Sequence, residues 1–167
     1  LTHDRVMLRC HGLDTLATLS VNGEELGRTD NMFRSYEFDV RRFLKRGKNS
    51  IRIFFRSALT HTEHKSNERE LPSWNGDVIV GHPGYLRKEQ CNFGWDWGIR
   101  TVTCGIWRDM EIVAFSAAWL SDVRVTQHHE TGRVDLDIAA TAEEAGDLFA
   151  KAGRPHANGL RVRVRVA

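Results

Sequence analysis

Cysteine is scarce in this chain, with three residues in 167: Cys10, Cys91 and Cys104. Their wide spacing offers no paired C-x-x-C for zinc and no disulfide framework, which leaves at most one Cys91–Cys104 bridge and fits a reducing compartment. Charge of one sign is also lacking. The 24 basic and 22 acidic side chains give a formal charge of +2, so the electrostatic footprint of a nucleic-acid binder is absent. No apolar run approaches the roughly 20 residues that span a bilayer, which excludes a spanning helix. The start, Leu1-Thr2-His3-Asp4-Arg5, has neither an initiator Met nor the apolar stretch of a signal peptide. The expectation is an excised piece of a cytoplasmic protein, with lysosomal or secreted alternatives left open by a terminus that lies elsewhere. No cofactor and no membrane or nucleic-acid partner is expected.

What the chain does contain is short alternating apolar runs punctuated by turn residues. Val6 to Cys10 and Thr15 to Val21 read as strands, with Leu8 and Cys10, or Leu16 and Thr18, as same-face sets. Asn22-Gly23 follows directly and is the strongest short hairpin signal, because a type I′ turn needs positive φ at both central residues. Thr15 to Val21 should therefore pair with Glu24 to Arg28. Ser35 to Val40 places Tyr36, Phe38 and Val40 on one face. Arg41 to Arg46 suits one helical turn burying Phe43 and Leu44, ended by Gly47 and Asn49, and Ser50 to Arg56 carries Ile51, Ile53 and Phe55 at period two. Short strands at such spacing argue an all-β sandwich or jelly roll.

Ala58 to Tyr85 changes character and reads as a long, polar, irregular connection, the kind that is usually functional. It holds His61 and His64, whose three-residue spacing with no third ligand nearby suits surface histidines better than a metal site. Ile106 to Phe115 returns to strand, with Ile106, Met110, Ile112 and Ala114 as its apolar face. A fresh alternating series then begins: Trp119 to Thr126, Val134 to Ile138, and Leu160 to Val166, where Arg161, Arg163 and Arg165 share the opposite face. Thr141 to Gly159 reads as an exposed loop or short helical insertion. Ending on a Val-rich strand would leave an apolar edge unpaired, so a second β domain is expected to start near Ser116 and to be incomplete at Ala167.

The segment richest in chemistry is Phe93-Gly94-Trp95-Asp96-Trp97-Gly98, a carboxylate between two indoles with a glycine at each end. Indole faces cover the apolar C–H faces of a pyranose, and a carboxylate accepts hydrogen bonds from its hydroxyls. The structural alternative is a pair of core indoles with an Asp capping a turn. A strand here would place the indoles on one face and Asp96 on the other, whereas a turn could gather all three, and the flanking glycines favour the turn. Trp107 suits core packing, and Asn31, Met32 and Phe33 suit a turn and core.

In order along the chain, Gly12-Leu13-Asp14-Thr15, Val21-Asn22-Gly23, Asn31-Met32-Phe33, Phe38-Asp39-Val40, Gly47 and Asn49, Arg87-Lys88, Phe93 to Gly98 and Gly105-Ile106-Trp107-Arg108 resemble the β-mannosidases of glycoside hydrolase family 2. The early segments are shared across that family, and the Gly-Trp-Asp-Trp-Gly segment singles out the mannosidase branch. The chain departs from the pattern at Ile99, where the family has Pro, and at Cys91, where it has an aromatic residue. The resemblance implies a galactose-binding-domain-like jelly roll over residues 1–115, followed over 116–167 by the start of an immunoglobulin-like β-sandwich. It further implies a retaining exo-glycosidase whose two catalytic glutamates lie on a (β/α)₈ barrel outside this chain, so that no catalytic residue is expected here. Trp95, Asp96 and Trp97 are implied substrate-binding residues for a terminal mannoside, with Arg87 beside them as a bidentate partner for Asp96 or a structural salt bridge. A free-standing carbohydrate-binding module or lectin-like domain is the alternative. Hydrolysis by Asp96 with Glu89 or Asp109 is disfavoured, because no spacing sets two carboxyls across a sugar.

Overall fold

Alternation dictates strands, and the computed structural model, which describes residues 2–72 and 77–145, is all-β apart from one α-helix and short 3₁₀ turns. The chain divides into two units, Met7–Val113 and a second formed by Thr2–Val6 with the residues from Ala114 onward. The strands of the first half are β1 (Arg5–Cys10), β2 (Leu13–Asp14), β3 (Ala17–Val21), β4 (Glu24–Arg28), β5 (Tyr36–Asp39) and β6 (Ile51–Phe55). After helix α1 (Ala58–Glu68) come β7 (Gly105–Ile106) and β8 (Met110–Phe115). They make two three-stranded sheets, ordered β5-β1-β8 and β4-β3-β6, and a small antiparallel β2–β7 ladder. None of these sheets closes on itself.

Period-two burial builds the core of the first unit. Leu8 and Cys10 from β1 and Ala17, Leu19 and Val21 from β3 are buried, together with Leu13, Leu16, Val40 and Phe93. Each large aliphatic covered this way contributes about 1.5–3 kcal/mol. Burial also pushes the Cys10 thiol up to about 11, because a thiolate there would lose its hydration. The face of β3 differs from the expected pairing of Leu16 with Thr18. Leu16 is buried just ahead of the strand, and within the strand Thr18 is half-exposed while its neighbours point inward.

The Asn22-Gly23 hairpin forms as its sequence requires, with φ of 52° and 95° at the two turn residues. Asn22 also pins the segment that follows β5: its amide donates to the Phe43 carbonyl at 2.7 Å and to Asn49 Oδ1 at 2.9 Å. The single turn there is a 3₁₀ helix over Arg41–Phe43 and buries neither Phe43 nor Leu44, which stay half-covered.

Two further expectations are corrected. The connection from Ala58 is not irregular at its start but is helix α1, capped by Ser57 Oγ accepting from the Thr60 amide at 3.2 Å. Only Ala58 and Thr62 on it are buried, so the 3.6-residue apolar period that announces a helix is missing. The strand expected over Ile106 to Phe115 is interrupted at 107–109, and most of its expected apolar face is turned outward on both sides of the break, with Ile106 54% exposed. Ile112 is exposed, whereas Val113 and Phe115 are half-buried.

In the second unit β9 (Ala118–Glu130) and β10 (Arg133–Glu144) form a long antiparallel hairpin that turns at Thr131-Gly132, with Gly132 at φ 75°. Val125 opposes Ile138, and Leu120, Val123, Val134 and Leu136 complete an exposed apolar face. On the opposite face His128 meets Asp137 at 2.9 Å. Thr141 to Glu144 belongs to β10 rather than to a loop. The remainder of the expected loop, the Leu160 to Val166 strand and the three arginines on it lie outside the described residues. Among the described residues no helix is long and apolar enough to cross a membrane.

Candidate functional site

The Trp-Asp-Trp segment is a loop with a tight neck. A 3₁₀ turn over Gln90–Phe93 delivers it, and Phe93, fully buried, anchors the entry with its carbonyl accepting from the Val80 amide at 2.8 Å. Gly94 follows at φ 93°, ψ −179°, a conformation open essentially to glycine alone. A Cβ there would lie 2.5 Å from Arg100 Cγ and 3.1 Å from Arg100 Cα, so the backbone on the two sides of the loop touches. The tip is a turn closed by the Gly98 amide donating to the Trp95 carbonyl at 3.4 Å. Gly98 needs no glycine by either criterion: its φ is ordinary and the space beside it is open.

The turn exposes what a core would hide. Trp97 is 84% exposed, Ile99 85% and Trp95 39%. An indole that fully buried would cover about 150–250 Å² forgoes, at 84% exposure, about 3–5 kcal/mol of hydrophobic stabilisation. Such a cost on a loop held by a built neck is what a ligand or partner surface requires. Both indoles border a hollow of about 600 Å³, with Leu71, Pro72 and Ile79 among its apolar walls and His82, Tyr85 and Gln90 its polar ones. Cys91 and Ile99, the two departures from the family pattern, also face it. Cys91 and Cys104 are both exposed and unpaired.

Asp96 is not among the residues lining the hollow, although both neighbouring indoles are. It is exposed, and among the described residues no hydrogen bond or ion pair ties it to another side chain, Arg87, Glu89 and Asp109 included. Arg87 is exposed too, on a second recess that shares Pro83, Tyr85 and Gln90 with the first. Its backbone, not its guanidinium, is in use: Asn31 and Arg87 form a parallel bridge, and the Arg87 carbonyl accepts from the Met32 amide at 3.0 Å.

The buried ion pair of the site belongs to the next residue, Lys88. Its ammonium, fully buried, donates to Asp14 Oδ2, while Thr15 Oγ1 donates to Asp14 Oδ1 and Thr103 Oγ1 reaches Oδ2 at 3.4 Å. Sequence reasoning passed over this cluster, because charged side chains are seldom buried. The signal was present in the alternation: Lys88 shares the phase of Leu86, which is buried, while Arg87 between them faces out. Trp107, expected in the core, is 38% exposed, and only part of its indole is packed. Its indole lies against Gly12, where a Cβ would come within 2.5 Å of Nε1, and Nε1 donates to the Met32 carbonyl at 3.0 Å.

The histidines of α1 do not gather ligands. His64 meets Glu68 at 3.4 Å, and among the described residues no group of three or more His, Cys, Asp or Glu is placed to hold a metal ion. A separate polar network lies on the β5-β1-β8 sheet, where His11 and Arg9 both bond Glu111 and hold its carboxyl below the usual carboxylate range. Neither His11 nor Glu111 borders the hollow.

Known proteins with similar sequences identify the family of the chain. Residues 1–108 match the family described as glycosyl hydrolase 2 galactose-binding domain-like. The beta-mannosidase of Bos taurus is 36% identical over 130 residues, covering 72% of this chain and 14% of that protein. Beta-mannosidase B of Aspergillus oryzae is 31% identical over 152 residues, covering 86% of this chain and 18% of the relative. Among solved structures, the beta-D-mannosidase of Dictyoglomus thermophilum superposes with a TM-score of 0.74 at 30% identity, over 85% of this chain and 17% of that one. The chain therefore spans less than a fifth of the length of these proteins.

Proposed function

From the premise that this chain belongs to the glycosyl hydrolase 2 galactose-binding-domain-like family, we propose that it is the substrate-binding N-terminal part of an exo-acting, retaining β-mannosidase. Residues 1–115 form the sugar-binding jelly roll in this reading, and 116–167 open an immunoglobulin-like sandwich. The reaction needs two carboxyl groups about 5–5.5 Å apart, one attacking C1 and one protonating the leaving oxygen. Those glutamates belong to a (β/α)₈ barrel elsewhere in a longer protein, and this chain alone does not hydrolyse.

One observation carries the reading: Asp96, a carboxylate with no partner among the described residues, sits between two exposed indoles on a loop with a tight neck. A core Asp or a turn cap would have its hydrogen bonds satisfied by the protein. An unpaired carboxylate flanked by aromatic faces is complementary to sugar hydroxyls above a pyranose ring. In this assignment Trp95 and Trp97 cover the sugar and Asp96 accepts from its hydroxyls. Arg87 joins them from the recess beside the hollow. The β-mannosidase names of the relatives supply the choice of mannose.

Titration calorimetry of mannose against this chain and against the longer protein tests the proposal. The expected result is saturable, Asp96-dependent binding in the longer protein and none detectable in the isolated chain. Tight Asp96-dependent binding to the isolated chain would favour a free-standing carbohydrate-binding module, and turnover of an aryl β-mannoside by this chain would overturn the assignment of catalysis to an absent barrel.

A further inference from the structure

The buried group that the sugar reading leaves unused is the Asp14 carboxylate. It stands at the point where the two limbs of the Trp-Asp-Trp loop converge. The entering limb brings Lys88, two residues before the 3₁₀ turn that carries Phe93. The leaving limb brings Thr103, whose hydroxyl reaches Asp14 Oδ2 at 3.4 Å, and Gly105, which pairs with Asp14 through the β2–β7 ladder. Between Thr103 and the loop tip, Val102 packs against Leu16, Ala58 and Leu86. One carboxylate thus ties both limbs to β2, on the inner side of the pinch that Gly94 makes with Arg100.

We infer that Asp14 is a positioning residue for the sugar-binding loop, holding Trp95 and Trp97 in register through Lys88 and Thr103. The inference rests on the assignment of that loop to sugar binding. Its physical basis is that a buried ion pair gives geometric specificity even where it adds little net stability. A single buried acceptor shared by two limbs also makes their separation depend on one set of hydrogen bonds. A carboxylate suits the position because it accepts on both oxygens at once, here from Thr15 on Oδ1 and from Lys88 and Thr103 on Oδ2. An Asn side chain would keep one acceptor oxygen but remove the charge that partners the buried Lys88 ammonium.

The test uses Thr103→Val, Thr103→Ser and Asp14→Asn, read first by the indole N–H signals of Trp95 and Trp97 in ¹H–¹⁵N spectra of this chain without sugar. Thr103→Val removes one tie and leaves the ion pair intact. The expected outcome is displaced or doubled Trp95 and Trp97 signals, an unmoved Trp107 signal, and restoration by Thr103→Ser. In the longer enzyme Thr103→Val should raise KM for an aryl β-mannoside by on the order of tenfold with a smaller change in kcat, as expected for a misplaced binding group. Asp14→Asn should move the same indole signals further. Should it fail to fold, the Thr103 pair decides alone. Trp95 and Trp97 signals that match the parent in folded Thr103→Val, or that Thr103→Ser does not restore, overturn the inference. The two readings fail separately: an Asp96→Asn variant that binds sugar normally refutes the sugar assignment, while indole signals indifferent to Thr103 refute the clamp.

Discussion

Replacing Gly94 by alanine should damage the protein while the same change at Gly98, four residues on, should not. At Gly94 the backbone holds φ 93° and ψ −179°, where any side chain is strained, and the new Cβ would meet Arg100 Cγ at 2.5 Å and Cα at 3.1 Å. The side-chain atom can swing away, but the backbone atom cannot without opening the neck. Strain of about 1–3 kcal/mol and overpacking of similar size give a total of about 3 kcal/mol. For a unit of this size that is a drop in Tm of about 12–24 °C. At Gly98 the space is open and φ is ordinary, so alanine should be neutral or stabilise by about 0.4–1 kcal/mol through the unfolded chain. Thermal unfolding followed by circular dichroism, paired with acrylamide quenching of tryptophan emission, reads both effects. If Gly94→Ala melts within about 2 °C of the parent with unchanged quenching, or if the two glycines respond alike, the description of the neck is wrong.

Three further outcomes follow from the packing and exposure of side chains in the first unit. Gly12→Ala should push the Trp107 indole off its seat and break its bond to the Met32 carbonyl, destabilising by about 1–3 kcal/mol in urea unfolding. Native Cys10 keeps its proton up to about 11, against 9.0 for a free thiol, so the folded state binds the extra proton between those values. Stability should therefore fall as pH rises above 9 and level off beyond 11. Ellman titration of the native chain at pH 8 should label Cys91 and Cys104 quickly and Cys10 only after denaturant is added.

How far the sequence reveals this depends on whether local chemistry or tertiary context decides. The Asn22-Gly23 hairpin was legible because both turn residues need positive φ and few sequences supply it. Strand β1 was legible because its alternation survives intact in the burial of Leu8 and Cys10. Helix α1 was hidden because it carries a Ser57 cap and exposed Lys65 and His64 contacts to Glu68 but no apolar stripe. The face of β8 was misread because Ile112 and Ala114 are as apolar as Val113 and Phe115, so the sequence does not show which set faces inward. At the site, residue type and spacing single out Trp95, Asp96 and Trp97, and all three are exposed on a turn rather than packed in the core. The Asp14–Lys88 pair was missed because its partners are 74 residues apart and nothing local links them.

The most direct test of the account is kcat/KM of Asp96→Asn for an aryl β-mannoside in the longer enzyme, with Tm measured on the same preparation. Among the described residues no side chain bonds Asp96, so the substitution should leave Tm unchanged. Loss of a charged acceptor for sugar hydroxyls is worth about 1.5–3 kcal/mol, or roughly 10- to 150-fold in kcat/KM. Such a loss at constant Tm is the predicted result. An unchanged kcat/KM would contradict the claim that the Trp95–Asp96–Trp97 loop holds the sugar.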